Sequence, residues 1–400
     1  MPSPSDEDWQ YSRIAELDLG AYDSAATSRT SELARAEAAR FLAGFEDASL
    51  IRRSADAARY AIDLVPQAVA AGVRVTSVLE RDAAPDGFGE LVPGADHALV
   101  RLADAIAEDA LVIEIPEDAV IAAPIVVVHE LGAGSGEVVA PRTYVRVGSG
   151  AQASVVELLV SGDGPMLVLP VTECDLAEGA RLRLHSVQQL GRAAWQFGSQ
   201  VSRVGRDARL VALLAAFGGD YARSATHSAA LGPGAESELA AIYLADGHQV
   251  QDLRTFQEHV APQTRSNLVF KGAVADTARS VYTGLIHMHR GARKADAAQT
   301  NRNLVLSEGA DAFSVPNLDI EENDVRCSHA SAVGPIDDEQ CFYLESRGVP
   351  PQVARRLILI GFFEELLASS SEPAVAEYLR DVITQRLLPV SGAAHDGAAA

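Results

Sequence analysis

The feature that most constrains the fold of this 400-residue chain is a turn that recurs at nearly constant spacing. Four of its copies lie 29, 28 and 27 residues apart, at Gly150-Ala151, Gly179-Ala180, Asp207-Ala208 and Gly234-Ala235. Further copies stand at Gly291-Ala292 and Gly309-Ala310. One or two short strands between regularly spaced turns are typical of a β-solenoid, in which each coil buries its inner face only by stacking on its neighbours. A two-sheet sandwich gives similar strand spacing and is the less favoured alternative.

Between these turns the sequence alternates apolar and polar residues, which predicts strands that bury one face. The pattern is seen in ALVRLA, LVIEIP, IVVVHE, TYVRVG, SVVELLV and RLRLHSV. We therefore expect a mainly β core over residues 95–345, with the strands ending near Tyr343. Because 48% of the chain is hydrophobic and only 6% aromatic, aliphatic and alanine side chains must fill this core.

Helical patterns flank the strands. An N-terminal helical region is expected over 1–80, with one helix over 30–46 and a second near 50–64, behind an acidic tail. A C-terminal helical domain is expected over 346–390. It comprises an apolar helix from Gln352 to Ala368 and a second helix with one apolar face formed by Val375, Tyr378, Leu379, Val382, Ile383 and Leu387. Residues 391–400 are small and polar and are expected to be disordered.

Composition and charge exclude several classes of function. The formal charge of −22 argues against nucleic acid and anionic membranes as partners, because both normally require a basic surface. No apolar run reaches the roughly 18 residues of a membrane span. The acidic N-terminus is unlike a signal peptide, and three cysteines are too few for a disulfide framework, so we expect a cytoplasmic protein. Neither lysine, Lys271 or Lys294, lies in a phosphate-binding loop, so we expect no ATP to be bound by this chain.

Two glycine-rich segments, 132–136 and 148–150, are interpreted as turns, since a strand rather than a helix follows the second. His287 and His289 are two residues apart, so on a strand both would point to the same face, as a metal pair must. No third ligand is evident from the neighbouring sequence. We therefore favour an exposed histidine pair on the outer face of a sheet over a metal site.

The sequence Cys327-Ser328-His329 offers the other candidate ligands. On a strand Cys327 and His329 share a face, so a thiolate and an imidazole could reach one soft metal. Two ligands are too few for an iron-sulfur cluster, which takes about four. On spacing alone, a buried cysteine beside a hydrogen-bonded histidine is the favoured interpretation. Cys341 is assigned to the core, and no function is assigned to Cys174.

Residues 264–367 closely resemble the SufB/SufD family of iron-sulfur cluster assembly proteins. The most distinctive segments are QTNRNLVLS at 299–307, VRCSHASAVGPID at 325–337, and FYLESRG followed by the apolar helix. EDWQYSRIAEL at 7–17 is similar to a tryptophan-containing segment near the start of SufD chains. Two departures from SufB point to the SufD branch of the family. Asn301 stands where SufB chains carry a cysteine, and Cys327-Ser328-His329 replaces a Glu-His-Glu stretch.

The resemblance implies a right-handed parallel β-helix between helical domains. It also implies a heterodimer with a SufB-like paralogue through the last coils, where His329 and Cys327 would complete a site for a transient iron-sulfur cluster shared with SufB. A SufC-like ABC-type ATPase would dock on the C-terminal helices. There we assign the contact to Arg355, Arg356, Phe362, Phe363 and Glu364. The chain itself would catalyse no bond chemistry.

Two other functions remain open. The chain could be a β-helix enzyme, such as a polysaccharide lyase or an acyltransferase, because fold does not fix function. Such an enzyme needs a cleft of convergent acidic and basic residues, and none is evident from the sequence. Alternatively, the chain could form a homodimer and act alone as a scaffold or iron donor. Its size with and without partner proteins separates this possibility from the heterodimer.

Overall fold

The computed structural model describes residues 3, 5–6, 9–23, 29–57, 59–78, 85–91, 98–107, 109–368 and 370–386. The helices are α1 (Glu32–Leu42), α2 (Pro66–Ala70), α3 (Ala98–Ile106), α4 (Asp338–Ser346), α5 (Pro351–Ala368) and α6 (Pro373–Arg386), with short 3-10 helices at Ile14–Glu16 and Leu19–Ala21. The strands are β1 (Ser49–Ser54), β2 (Ala61–Asp63), β3 (Arg74–Val78), β4 (Ala110–Ile115), β5 (Ile125–Glu130), β6 (Glu137–Val139), β7 (Arg142–Val147), β8 (Gln152–Val160), β9 (Met166–Val168), β10 (Val171–Leu176), β11 (Arg181–Gln189), β12 (Ala194–Val204), β13 (Arg209–Ala216), β14 (Tyr221–Ala230), β15 (Glu236–Ala245), β16 (Val250–His259), β17 (Arg265–Val274), β18 (Arg279–Met288), β19 (Asp296–Val305), β20 (Asp311–Ile320) and β21 (Arg326–Gly334).

Consecutive strands of the central region alternate between two sheets. Sheet I has the order β2-β1-β5-β8-β11-β13-β15-β17-β19-β21, and sheet II runs β20-β18-β16-β14-β12-β10-β7-β4-β3. From β4 and β5 onward each coil adds one strand to each sheet, and neighbouring coils pair in parallel. A sandwich of antiparallel strands is therefore excluded, and the predicted parallel β-helix flanked by helices is confirmed, with about eight coils.

Three apolar layers hold the coils together. The lumen between the sheets is filled mainly by valine, leucine, isoleucine and alanine, as the low aromatic content predicts. Helices α1, α5 and α6 cover the outer face of sheet I. The N-terminal segment and α3 cover part of the outer face of sheet II, where Trp9 packs beside Phe197. Among the described residues, no helix is long and apolar enough to cross a membrane.

The recurring turn forms one corner of the solenoid. Gly150, Gly179 and Gly234 have φ values of +66°, +68° and +75°, and Asp207 has +52°. The alanine after each of these residues is fully buried. These alanines stack because the corner places a left-handed residue before a small side chain that points into the packed interior. The same corner continues at Gln263 and Lys294, with φ values of +59° and +61°, where the sequence offers no glycine to mark it.

The helical prediction for 30–46 is confirmed by α1, whereas the second helix near 50–64 is wrong. Residues Ser49–Ser54 form β1, which pairs in parallel with β5 at the edge of sheet I. Ile51 is buried in the lumen and Leu50 packs against the layer covered by helices. When both faces of a strand are buried, apolar and polar residues no longer alternate along it. Such a sequence cannot be distinguished from a helix by its period alone.

Two other assignments are also wrong. ALVRLA begins helix α3, in which Leu99, Val100 and Ala103 share the face that packs on sheet II. The last strand ends at Gly334 rather than near Tyr343, because the Asp337 carboxylate accepts hydrogen bonds from the first backbone amides of α4. Helices α5 and α6 pack together as the predicted hairpin. Leu387 and residues 391–400 lie outside the described residues.

Gly272 on β17 provides a test of the lumen packing. A Cβ atom at Gly272 would lie 1.9 Å from Cε2 of the Tyr243 ring, which stacks over it from the preceding coil. We expect Gly272→Ala to destabilise the fold by about 1–3 kcal/mol, the usual cost of overpacking, and to lower the Tm measured by calorimetry. Gly361→Ala is the matched control, because nothing lies within 4 Å of its added Cβ in α5. This control should leave the Tm unchanged or raise it; equal effects of both changes would contradict the packing.

Candidate functional site

The eighth coil, formed by β20 and β21, is the open end of the solenoid. Within the described part of the chain, β21 pairs only with β19 and β20 only with β18, so each carries one unpaired edge. Most residues of β21 are exposed, whereas the inward residues Ala297, Gln299, Asn301 and Asn303 of β19 are buried. The apolar side chains of Ile320 and Val333 are 46% and 45% exposed at this end.

Cys327 and His329 both lie on β21 and face the lumen side of the open end. The parallel register places Cys327 over Ala297 and His329 over Gln299. Ala297 and Gln299 are buried, which fixes the inward direction of this face. Cys327 is half-buried against an apolar cluster, and His329 is exposed. The two side chains are therefore arranged on one face, as the period-two pattern predicts.

Burial sets the chemistry of Cys327. Loss of water around the thiol, with a smaller contribution from the Asp296 carboxylate, raises the pKa of Cys327 to about 11. The thiol is therefore protonated near neutral pH in the free chain. Because the thiolate is the form that binds metal, Cys327 becomes a ligand only when a metal or a nearby positive charge displaces its proton. His329 offers an imidazole, the commonest metal ligand among protein side chains.

The lumen beneath this end is unusually polar. The Tyr243 hydroxyl donates to Oδ1 of Asn303 at 2.7 Å and accepts from Nδ2 of Asn301 at 2.9 Å. Asn301, where the resemblance places a cysteine in SufB chains, is thus a fully buried structural amide here. Gln299, one coil below His329, is 1% exposed, and neither atom of its amide has a hydrogen-bond partner.

The five residues assigned to ATPase docking lie in different environments on α5. Arg355 is exposed and Arg356 is half-exposed. Phe362 is half-buried, and its backbone carbonyl accepts a hydrogen bond from Lys271. Glu364 forms a two-pronged ion pair with Arg380 of α6.

Phe363 is fully buried in the layer between the helices and sheet I. It therefore holds α5 on the solenoid and offers no surface to a partner.

Helices α4 and α5 carry exposed apolar side chains, which we term the α4–α5 patch. It consists of Phe342, Tyr343, Val353 and Leu357, whose exposed fractions are 74%, 59%, 44% and 49%. The two aromatic residues had been assigned to the end of the strand region. Exposed apolar side chains on two helices that pack together are typical of a protein-binding site.

The histidine pair belongs to a larger group on the outer face of sheet II. Ligand atoms of Glu258, His287 and His289 all lie within 4.8 Å of one another. The expectation that no third ligand lies nearby is therefore wrong. Glu258 precedes His287 by 29 residues and pairs with it across adjacent coils. This separation equals the turn repeat, so the repeat was the signal that could have found it.

All three cysteines are free. Cys174 is fully buried in the lumen, and burial strongly raises the pKa of its thiol. Cys341 is buried on α4, in agreement with the core assignment.

Together these features define a parallel β-helix protein with a thiol and an imidazole at its open end and an apolar patch on its C-terminal helices. Residues 130–362 match the family described as SUF system FeS cluster assembly, SufBD core domain. The chain belongs to the SufB/SufD family of iron-sulfur cluster assembly proteins.

Relatives of known name support this assignment. The chain is 35% identical over 264 residues to an iron-sulfur cluster assembly SufBD family protein of Mycobacterium tuberculosis, covering 64% of this chain and 66% of that protein, just under two thirds of its length. It is 33% identical over 288 residues to a SufBD family protein of Mycobacterium leprae, covering 70% and 72% of the two chains. It is 28% identical over 333 residues to the iron-sulfur cluster assembly protein SufD of Escherichia coli, covering 82% and 77%.

The raised pKa of Cys327 predicts slow alkylation in the folded free chain. At pH 7 a thiol with a pKa near 11 has about a hundredfold less thiolate than a thiol with a pKa near 9. The thiolate of the higher-pKa thiol is intrinsically more nucleophilic, which offsets part of this difference in alkylation rate. We expect iodoacetamide to modify Cys327 about tenfold more slowly than in the urea-unfolded chain, with a rate that still rises above pH 9. Peptide mass spectrometry gives the rate, and Cys327→Ser identifies the signal. Equal rates in both states would contradict the burial of this thiol.

Proposed function

We propose that this chain is a SufD-like, non-catalytic subunit of a cytoplasmic SufBCD-type complex. It pairs with a SufB-like paralogue, carries a SufC-like ABC-type ATPase on its C-terminal helices, and shares a nascent iron-sulfur cluster with the paralogue. The single observation that carries this proposal is the open end of the solenoid with Cys327 and His329 on it.

The open end is suited to a partner that is itself a β-helix. Unpaired edges of β20 and β21 present rows of backbone N–H and C=O groups, which in water favour pairing with another strand. A second solenoid end could add strands to both sheets at once and cover Ile320 and Val333. A second copy of this chain could occupy the same end when the paralogue is absent, which gives the homodimer of the alternative hypothesis.

The ligand count explains why two subunits are needed. His329 and Cys327 supply two of the roughly four ligands of an iron-sulfur cluster, and the partner supplies the others. Because the free Cys327 thiol is protonated, His329 is the ligand available before the complex forms. The iron and sulfide are the cargo of this site, and the chain contributes position and ligands rather than bond chemistry.

The α4–α5 patch is the proposed ATPase surface, with Arg355 beside it and Arg356 one residue further along α5. A groove between α4 and α5 is lined by Asp338, Cys341, Phe342, Glu345, Pro351 and Arg355. Helix α5 is anchored to sheet I by Lys271 of β17, which hydrogen-bonds the Phe362 carbonyl at 2.8 Å and pairs with Glu365. Movement of α5 would therefore act on β17, which lies two coils beneath β21 and its cluster residues.

The test is co-expression with the SufB-like and SufC-like proteins of the same source, followed by anaerobic purification. We expect one complex containing all three chains, with bound iron and sulfide. His329→Ala should leave the stoichiometry unchanged and lower iron and sulfide per complex, because a cluster ligand is lost. Leu357→Asp should release the ATPase but retain the paralogue, because a charge would be buried in the apolar contact.

Val69→Asp is the matched control for Leu357→Asp, since Val69 is 58% exposed on α2, far along the chain from the patch. It should retain all three subunits. Unchanged cluster content in the His329→Ala complex would refute the ligand role and leave the chain as a framework only. Failure of the wild-type chain to bind either protein would refute the partner assignment.

A further inference from the structure

The outer face of sheet II carries a concentration of imidazoles and carboxylates that the cluster site does not use. Glu258 and His287 are paired across β16 and β18, and His289 follows directly after β18. Asp319 of β20 is paired with His287 on the other side. Since outward residues of stacked coils form columns, groups from three successive coils converge on one spot.

Two ring nitrogens in this group lack partners. The Nε2 atoms of His287 and His289 are buried from water and neither has a hydrogen bond, whereas His227 Nε2 lies 3.4 Å from a Glu258 oxygen. The nearest carboxylate oxygens to His287 Nε2, those of Asp319 and Glu321, are 3.7 and 3.8 Å away, beyond hydrogen-bond distance. Buried polar atoms are nearly always satisfied in folded proteins, so two adjacent ring nitrogens without partners fit a site that binds a ligand.

The geometry is close to that of a metal site. The rings of His287 and His289 have centroids 3.8 Å apart, and their ligand atoms and that of Glu258 lie within 4.8 Å of one another. Ligands about 2.1 Å from a tetrahedral metal lie about 3.4 Å apart, so the widest separation in this group must shorten by up to about 1.4 Å when an ion binds. The Glu258 side chain is partly exposed and can make this adjustment by rotation.

Neighbouring charges favour a cation here. His227 Nε2 lies 3.4 Å from a Glu258 oxygen and is placed to orient that carboxylate, as groups behind metal ligands commonly do. Asp319 and Glu321 add negative charge, of which Arg290, 3.7 Å from Glu321, offsets part.

We propose that Glu258, His287 and His289 bind one divalent first-row transition-metal ion, such as Fe²⁺ or Zn²⁺, on the outer face of sheet II. Two imidazoles and one carboxylate suit borderline divalent ions and leave coordination positions open for water. The absence of a thiolate from the set disfavours copper(I) and a cluster. The site lies on the opposite sheet from Cys327 and His329, so this inference does not rest on the proposed function.

The test uses the full chain carrying Cys327→Ser and His329→Ala, which removes the other candidate ligands. The protein is stripped with a chelator and titrated with Zn²⁺ against a chromophoric competitor, and with Fe²⁺ under anaerobic conditions. We expect one equivalent of either ion to bind. His287→Ala and Glu258→Gln should each weaken binding at least about tenfold. His248→Ala is the matched control, because His248 is 80% exposed and lies outside the group.

X-ray absorption at the zinc edge provides a readout that needs no substitution within the group. It should show two imidazoles with oxygen ligands and no sulfur. Zinc should also raise the Tm of the parent chain but not that of its His287→Ala derivative, because a ligand bound only by the native state stabilises it. The proposal is refuted if less than half an equivalent binds, if His287→Ala binds as tightly as its parent, or if the absorption spectrum shows fewer than two imidazoles.

Discussion

Each coil of this protein buries its inner face only against the next coil, and the rest of the structure depends on that stacking. The parallel ladders set both the distance and the register between coils, and the left-handed corner with its small buried residue lets the chain turn between the sheets. A stack of this kind always has a last coil whose inner face and strand edges have no neighbour. In this chain the last coil carries Cys327 and His329, so the place where stacking stops is also the place where candidate cluster ligands are exposed.

The repeat also explains how distant residues form sites. Residues separated by about one coil stack in columns, which places Glu258 beside His287 and Gln299 beneath His329. The sequence predicted the solenoid, its turns and the shared face of Cys327 and His329, because these follow from local periodicity. Glu258 does not follow from local periodicity, because its place beside His287 depends on the register between two coils that are 29 residues apart in the chain.

The assignments that failed share a physical cause, which is that neighbouring elements decide what a short apolar segment becomes. Residues Ser49–Ser54 are a strand because β5 offers them an edge, and α3 is a helix because sheet II offers it an apolar face. Phe342 and Tyr343 lie on a helix because Asp337 caps it, which turns them outward into the α4–α5 patch. On α5, Phe363 is buried because it faces sheet I, whereas Leu357 is exposed. Which apolar residue of this helix is covered therefore depends on the position of the sheet.

The central claim is that the open end of the solenoid binds a SufB-like paralogue, and the dissociation constant of that pair tests it most directly. The measurement compares Val333→Asp, at the open end, with Val120→Asp, whose valine is 58% exposed outside the last coil. If the open end is the interface, Val333→Asp weakens binding at least tenfold, or about 1.4 kcal/mol, and Val120→Asp changes it less than twofold. Equal dissociation constants for the two variants would contradict the claim.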